Sequence, residues 1–125
     1  MRIIQTENMP PSNGHYAQVM EHNGVLYLSG QLPINPQTKE IPETIEEQAA
    51  QALANVEKLL QEAGSSRTRV LKATVYIADI HLWDKVNAVY ADFFGTHKPA
   101  RSIVPTQKLH FGSLIEIEVI AALIP

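Results

Sequence analysis

Charged and apolar residues alternate along Leu114-Ile115-Glu116-Ile117-Glu118-Val119, the period-two pattern of a strand with one covered face. In a strand running on to about Leu123, Glu116 and Glu118 project to one side, and Ile115, Ile117 and Val119 to the other. A second alternation sets Leu71, Ala73, Val75 and Ile77 against Lys72, Thr74 and Tyr76, and predicts a strand from Leu71 to Ala78. Near the N-terminus, Ile3 and Ile4 form a short strand, ended by the loop from Asn8 to Gly14. Tyr16 to Glu21 and Val25 to Ser29 read as two further strands joined through His22-Asn23-Gly24, because Asn-Gly between such runs favours a tight hairpin.

Between these strands the period becomes helical. Ile45, Ala49, Ala52, Leu53, Val56, Leu59, Leu60 and Ala63 share one face, opened by Thr44 and Glu47 at capping-box spacing and ended by Gly64. A second helix is predicted from about His81 to Phe94, closed by Gly95, with Trp83, Val86, Tyr90, Phe93 and Phe94 as its apolar stripe. At about 100° per residue, Asn87 falls inside that stripe. An amide there needs partners, so Asn87 is either a structural bridge or part of a site. Arg101 to Val104 follows, ahead of the final strand. This order predicts an α+β single domain over residues 1–125, a mixed sheet with two helices packed on one face. The other sheet face also needs cover, which an oligomer packing sheet faces together supplies.

Composition narrows the chemistry. With 45% hydrophobic and 18% charged residues the 125-residue chain is ordinary for a soluble domain. A net charge of −3 argues against general affinity for nucleic acid. There is no Cys, which excludes disulfides, thiolate catalysis and sulfur-ligated metals. No signal-like apolar run follows Met1 and no stretch reaches membrane-spanning length, so a cytoplasmic protein without a membrane partner is expected. His15, His22, His81, His97 and His110 lack the short helical spacings of zinc sites, and no metal is expected.

Two residues stand out chemically. Arg101, in Lys98-Pro99-Ala100-Arg101-Ser102, follows a proline that presets the local backbone. A guanidinium that grips a carboxylate with two prongs, near a glutamate such as Glu116 able to handle a proton, suits a hydrolase of small acids. The same two residues also fit a purely structural Arg101–Glu116 pair, and on the residues alone both readings stand.

Five separated segments extend the reading: Gly14-His15-Tyr16, Leu28-Ser29-Gly30-Gln31, Val86-Asn87-Ala88-Val89-Tyr90, Pro99-Ala100-Arg101-Ser102 and Ile115-Glu116-Ile117-Glu118. In register over nearly the whole chain, they resemble the Rid (YjgF, or L-PSP) family. The resemblance implies a chorismate-mutase-like fold and a homotrimer whose sheets form a central barrel, with clefts between neighbouring subunits. It also implies cofactor-free hydrolysis of reactive enamines and imines, of the 2-aminoacrylate and 2-iminopropanoate type, to 2-keto acids and ammonia. By position, Arg101 matches the arginine that clamps the substrate carboxylate, and Glu116 the residue that positions or activates water. Tyr16, Ser29 and Asn87 match polar groups lining the cleft, and Gly30 a glycine beside it. Ile103 stands where deaminase-type members often have Cys, with its backbone N–H left available to a carboxylate.

The chemistry agrees with that assignment, since an imine carbon is already electrophilic and needs placement and a modest base more than a strong nucleophile. The chain departs from the family at His15, which replaces a usual Pro, and at Leu109-His110, where Leu-Pro is common. These changes bear on the substrate side chain. Two other functions use the same residues. One is a non-catalytic module binding small keto or amino acids in the same cleft. The other is an endoribonuclease, against which the acidic balance and the lack of a basic–aromatic stripe both weigh. Ser29 lacks a nucleophile elbow and reads as a hydrogen-bond donor. Trp83, Tyr90, Phe93 and Phe94 read as core, and Glu118 as the buried partner of a basic residue across the sheet.

Overall fold

A tight turn at Asn23-Gly24 sets the register of the N-terminal strands. In the computed structural model, which describes Met1 to Pro125, both turn residues take positive φ, 52° and 80°. Such a left-handed pair matches the twist of the strands it joins, here β2 (Val19–His22) and β3 (Val25–Leu28). β1 (Arg2–Ile4) pairs along the outer side of β2. The strand expected from Tyr16 begins only at Val19. Just before it, Gln18 is held by side-chain bonds: its amide contacts Thr6 and Pro10, and its backbone N–H donates to the Gln5 side chain.

α1 (Ile45–Glu62) starts where its capping signal places it. Thr44 Oγ1 accepts from the Glu47 N–H at 3.1 Å and donates to the Glu47 carboxylate at 2.9 Å, a reciprocal cap made through the hydroxyl. β4 (Val70–Ile77) leads through a short 3₁₀ turn into α2 (Trp83–Phe94), so the α-helix proper begins two residues after His81. β5 (Ala100–Pro105) and β6 (Ile115–Ala122) complete a mixed sheet of order β1-β2-β3-β6-β4-β5, in which only the β4–β5 pair is parallel.

The alternation predicted from Leu71 needs one correction. Val70 lies opposite Ala121 and Lys72 opposite Ile120, so Leu71 is the extra residue of a bulge. One inserted residue reverses the side on which the preceding side chain points. Val70 is therefore buried in the core, while Leu71 is half exposed. Beyond the bulge, Ala73, Val75 and Ile77 face inward as expected.

Both helices lie on one sheet face. The apolar stripes of α1 and α2 join Ile115, Ile117, Val119, Ala73, Val75, Leu26 and Leu28 in a single buried cluster. Burying a large side chain in such a core contributes about 1.5–3 kcal/mol. The opposite face carries Tyr27, Lys72, Thr74, Tyr76, Glu116, Glu118 and Ile120, none of them fully buried. No helix is long and apolar enough to cross a membrane.

Candidate active site

The parallel pairing of β5 with β4 decides where Arg101 points. Arg101 lies opposite Ala73, and Ile103 opposite Val75. Directly paired residues project to the same side, so Arg101 and Ile103 share the helix-covered face with those core residues. There Arg101 meets α2. Its Nη1 donates to Asn87 Oδ1 at 2.8 Å, and its guanidinium carbon lies 4.8 Å from the Tyr90 ring centre and 5.4 Å from that of Trp83. Tyr90 and Trp83, expected as core alone, also wall a cation. Burial pushes the Tyr90 phenol up, opposed by the Arg101 charge. The ion pairs of the chain are Arg2–Glu21, Arg67–Glu57 and His81–Asp79, so Arg101 has no carboxylate of its own. Held by one amide and two rings with its charge unpaired, it has the chemistry to take a carboxylate in its fork. Ile103 packs beside it against the core.

Glu116 lies on the other side of the sheet. It pairs with Tyr76, and Glu118 with Thr74, one residue out of phase with the Arg101 row. At the end of β3, Gly30 lies directly against it: a Cβ built on Gly30 would come within 2.9 Å of Glu116 Cδ and 3.1 Å of Cγ. Gly30 is there for close approach, not for a left-handed backbone. Burial raises the Glu116 carboxyl, the neighbouring Glu118 charge raises it further, and His110 works against both. A carboxylate raised in this way suits proton transfer. Glu118 has no basic partner across the sheet, contrary to the sequence reading. The Tyr76 hydroxyl donates to Glu118 Oε1 at 2.9 Å, and this bond is the main reason the Tyr76 phenol is raised.

Beside Gly30 opens a cavity of about 330 Å³, lined among others by Tyr16, Ser29, Gly30, His110 and Phe111. Tyr16 is half exposed at its rim. Ser29 is a donor, as expected, but its partner lies within the chain: Oγ donates to the Ala17 carbonyl at 2.6 Å. Asn55, a residue the sequence reading passed over, projects from α1 and donates to the carbonyls of Leu32 and Ile34 at 3.0 and 2.9 Å. It thereby fixes the loop that follows Gly30. The available signal was an amide, Asn55, adjoining the otherwise apolar face of α1. Phe111 was also missed, since nothing in its sequence context announces a rim residue. No three His, Asp or Glu side chains gather as a metal site.

The predicted residues thus fall into two groups. Tyr16, Ser29, Gly30 and Glu116 converge at the end of β3 and the start of β6. Arg101, Asn87 and Ile103 converge between α2 and the edge strand β5. Because the groups occupy opposite sheet faces, the structural Arg101–Glu116 pair does not form, and one chain does not place both residues around one small molecule.

The sequence model of the family described as endoribonuclease L-PSP matches residues 6–123. The 2-iminobutanoate/2-iminopropanoate deaminase of Escherichia coli is 39% identical over 123 residues, 96% of each chain. A RutC family protein of Aquifex aeolicus is 41% identical over 97% of this chain and 98% of its own. Among solved structures, the Escherichia coli YjgF gene product superposes with a TM-score of 0.92 at 38% identity, and TdcF of the same organism, with bound serine, with 0.91 at 37%. Each covers 98% of both chains.

Proposed function

The chain belongs to the endoribonuclease L-PSP family, also called Rid or YjgF, and from that premise we propose that it hydrolyses small 2-imino acids and their enamine forms to 2-keto acids and ammonia. The observation that carries this reading is the pair of half-sites, an unpaired, braced Arg101 and a raised Glu116 packed on Gly30. Arg101 takes the substrate carboxylate in its fork, and Asn87 holds the guanidinium in place. Glu116 accepts a proton from water as the oxygen bonds to C2, while the C=N π pair moves to nitrogen, which takes up a proton to give the carbinolamine. Collapse of the carbinolamine forms the ketone and releases ammonia. The electrophilic imine carbon lets this chemistry run on the chain's own residues.

Opposite faces require two copies. In this reading the α2–β5 side of one subunit supplies Arg101, Asn87 and Ile103, and its neighbour supplies Tyr16, Ser29, Gly30 and Glu116. Three such contacts close into a ring, a homotrimer whose uncovered sheet faces turn inward as a barrel. The edge position of β5 supports this, because an edge strand is free to approach a neighbour.

A non-catalytic binding module is the second reading, favoured by the serine bound in the Escherichia coli TdcF structure. The two separate on ammonia and keto-acid release from imines made in situ by an amino-acid oxidase, with catalase present. Faster release with wild type but not with Arg101→Ala supports the deaminase. No acceleration on any side chain from alanine to leucine and methionine, with ligand still bound, supports the binding module instead.

A further inference from the structure

We infer that His110 is the acid partner of Glu116, its imidazolium giving the substrate nitrogen a proton as water adds to C2. This rests on the deaminase reading above and adds a residue to it. His110 opens the short 3₁₀ turn His110–Gly112, just ahead of β6. The turn contains an outlier: Phe111 has φ 59° and ψ 25°, a left-handed conformation that bulky residues rarely take. Backbone strain of this kind persists only where the surroundings hold it. Here the surroundings are identifiable. The Ser113 N–H bonds to the His110 carbonyl at 3.2 Å, and the next residue, Leu114, donates its N–H to Gln48 of α1 at 2.8 Å. The left-handed turn lays the Phe111 ring on the His110 imidazole, with centres 4.0 Å apart and planes 39° from parallel.

The imidazole so held lines the same cavity as Tyr16, Ser29 and Gly30, and Gly30 is in turn packed on the Glu116 carboxyl. Its ring nitrogens bond to no group of the chain, whereas His22, His81 and His97 each engage one ring nitrogen; His15 is free as well but does not line this cavity. The titratable groups around it are Glu116, whose carboxyl its charge favours, and Tyr16 across the cavity. Glu118 bears on Glu116 from further along β6, and Lys108 stands two residues earlier in the loop.

Hydrolysis of an imine needs one group to take a proton and another to give one at the same moment. As the C–O bond forms, the water proton passes to Glu116, and the nitrogen receives the π pair together with the His110 proton. In the collapse, the carbinolamine hydroxyl proton returns to the imidazole as C=O forms. The C–N pair leaves on nitrogen, which takes the proton held by Glu116 and departs as ammonia. Both residues end as they began.

The test combines pH–rate profiles of wild type and His110→Gln with NMR titration of the His110 ring in wild type. The wild-type kcat/KM is expected to fall on the alkaline side with the midpoint of the His110 titration. His110→Gln should lose that limb and about 100-fold in rate. An active wild type whose His110→Gln variant keeps both rate and profile overturns the His110 assignment alone. A wild type that hydrolyses no imine overturns the deaminase reading, and the His110 step with it.

Discussion

Arg101 and Glu116 are held in opposite ways. Arg101 stands on an edge strand but is packed from behind by α2, with Asn87, Tyr90 and Trp83 fixing its guanidinium. Glu116 stands on an interior strand but on the face that no helix covers, half-buried between Gly30 and the neighbouring Glu118. The first half-site is organised by helix packing and keeps a permanent charge ready for an anion. The second is organised by sheet register and keeps a carboxyl whose charge is costly. In the proposed reaction binding and proton transfer therefore use separate regions, so each should be breakable without disturbing the other.

The largest effect is expected at the binding half. Lysine cannot reproduce the forked contact, so Arg101→Lys should lower kcat/KM by about 100-fold, in line with ~1.5–3 kcal/mol for a charge-assisted bond. Its melting temperature should scarcely move, because Arg101 closes no ion pair within the chain. Steady-state kinetics beside a thermal melt checks both. Full activity with unchanged KM would remove Arg101 from the site.

Next comes Gly30→Ala. The added methyl meets the flexible end of Glu116, so the fold should survive while the carboxylate is displaced. A loss of about 10-fold in kcat is expected, within what a positioned base supplies. In the Glu116→Gln background the same change should cost almost nothing further, since both act on one group. Additive losses in that double-mutant cycle would contradict the contact.

A smaller effect concerns stability. The folded Glu116 carboxyl sits above its ordinary value of 4.5, mainly through burial. Its protonated form is therefore favoured by folding. That stability is full below the usual glutamate range and is lost as pH rises through the raised value. Glu116→Gln should accordingly melt higher than wild type at pH 7, and the advantage should vanish near pH 4. Melts across that range read the sign directly. Smallest of all, Tyr76→Phe removes the bond to Glu118 and should cost at most about 1 kcal/mol, as the pair is partly open to water. Chemical denaturation at neutral pH measures it.

Much of the fold was legible because each element carries its own local signal. The Asn23-Gly24 turn, the Thr44 cap and the alternation around Glu116 needed no tertiary information. Leu71 was misplaced because a bulge leaves the hydrophobic pattern intact while reversing one side chain. Tyr16 to Gln18 looked like strand but makes no regular ladder: the Tyr16 N–H turns back to the Gly14 carbonyl and the Gln18 N–H goes to the Gln5 side chain, and such mixed bonding has no period. In the site, Tyr16, Ser29, Gly30, Asn87, Arg101, Ile103 and Glu116 could be named as candidates, yet their division between two faces could not. That division depends on β5 pairing in parallel with β4, a register no local pattern reveals. The Glu118 partner was misjudged for a related reason: charge invites a base, but the residue that reaches it is Tyr76, on the neighbouring strand. Asn55 was overlooked because its hold on the loop after Gly30 is a tertiary contact that α1 alone does not announce.

The division itself is best tested by mixing two variants, each impaired in one half-site. On the proposed trimer, Arg101→Ala and Glu116→Gln refolded together in equal amounts should form mixed trimers that each contain one site with both residues intact. If the site spans two copies, about one quarter of wild-type deaminase activity should return, the share expected for random threefold assembly. If the two variants assemble together and activity stays at the level of either alone, Arg101 and Glu116 do not act across a subunit boundary, and the account is wrong.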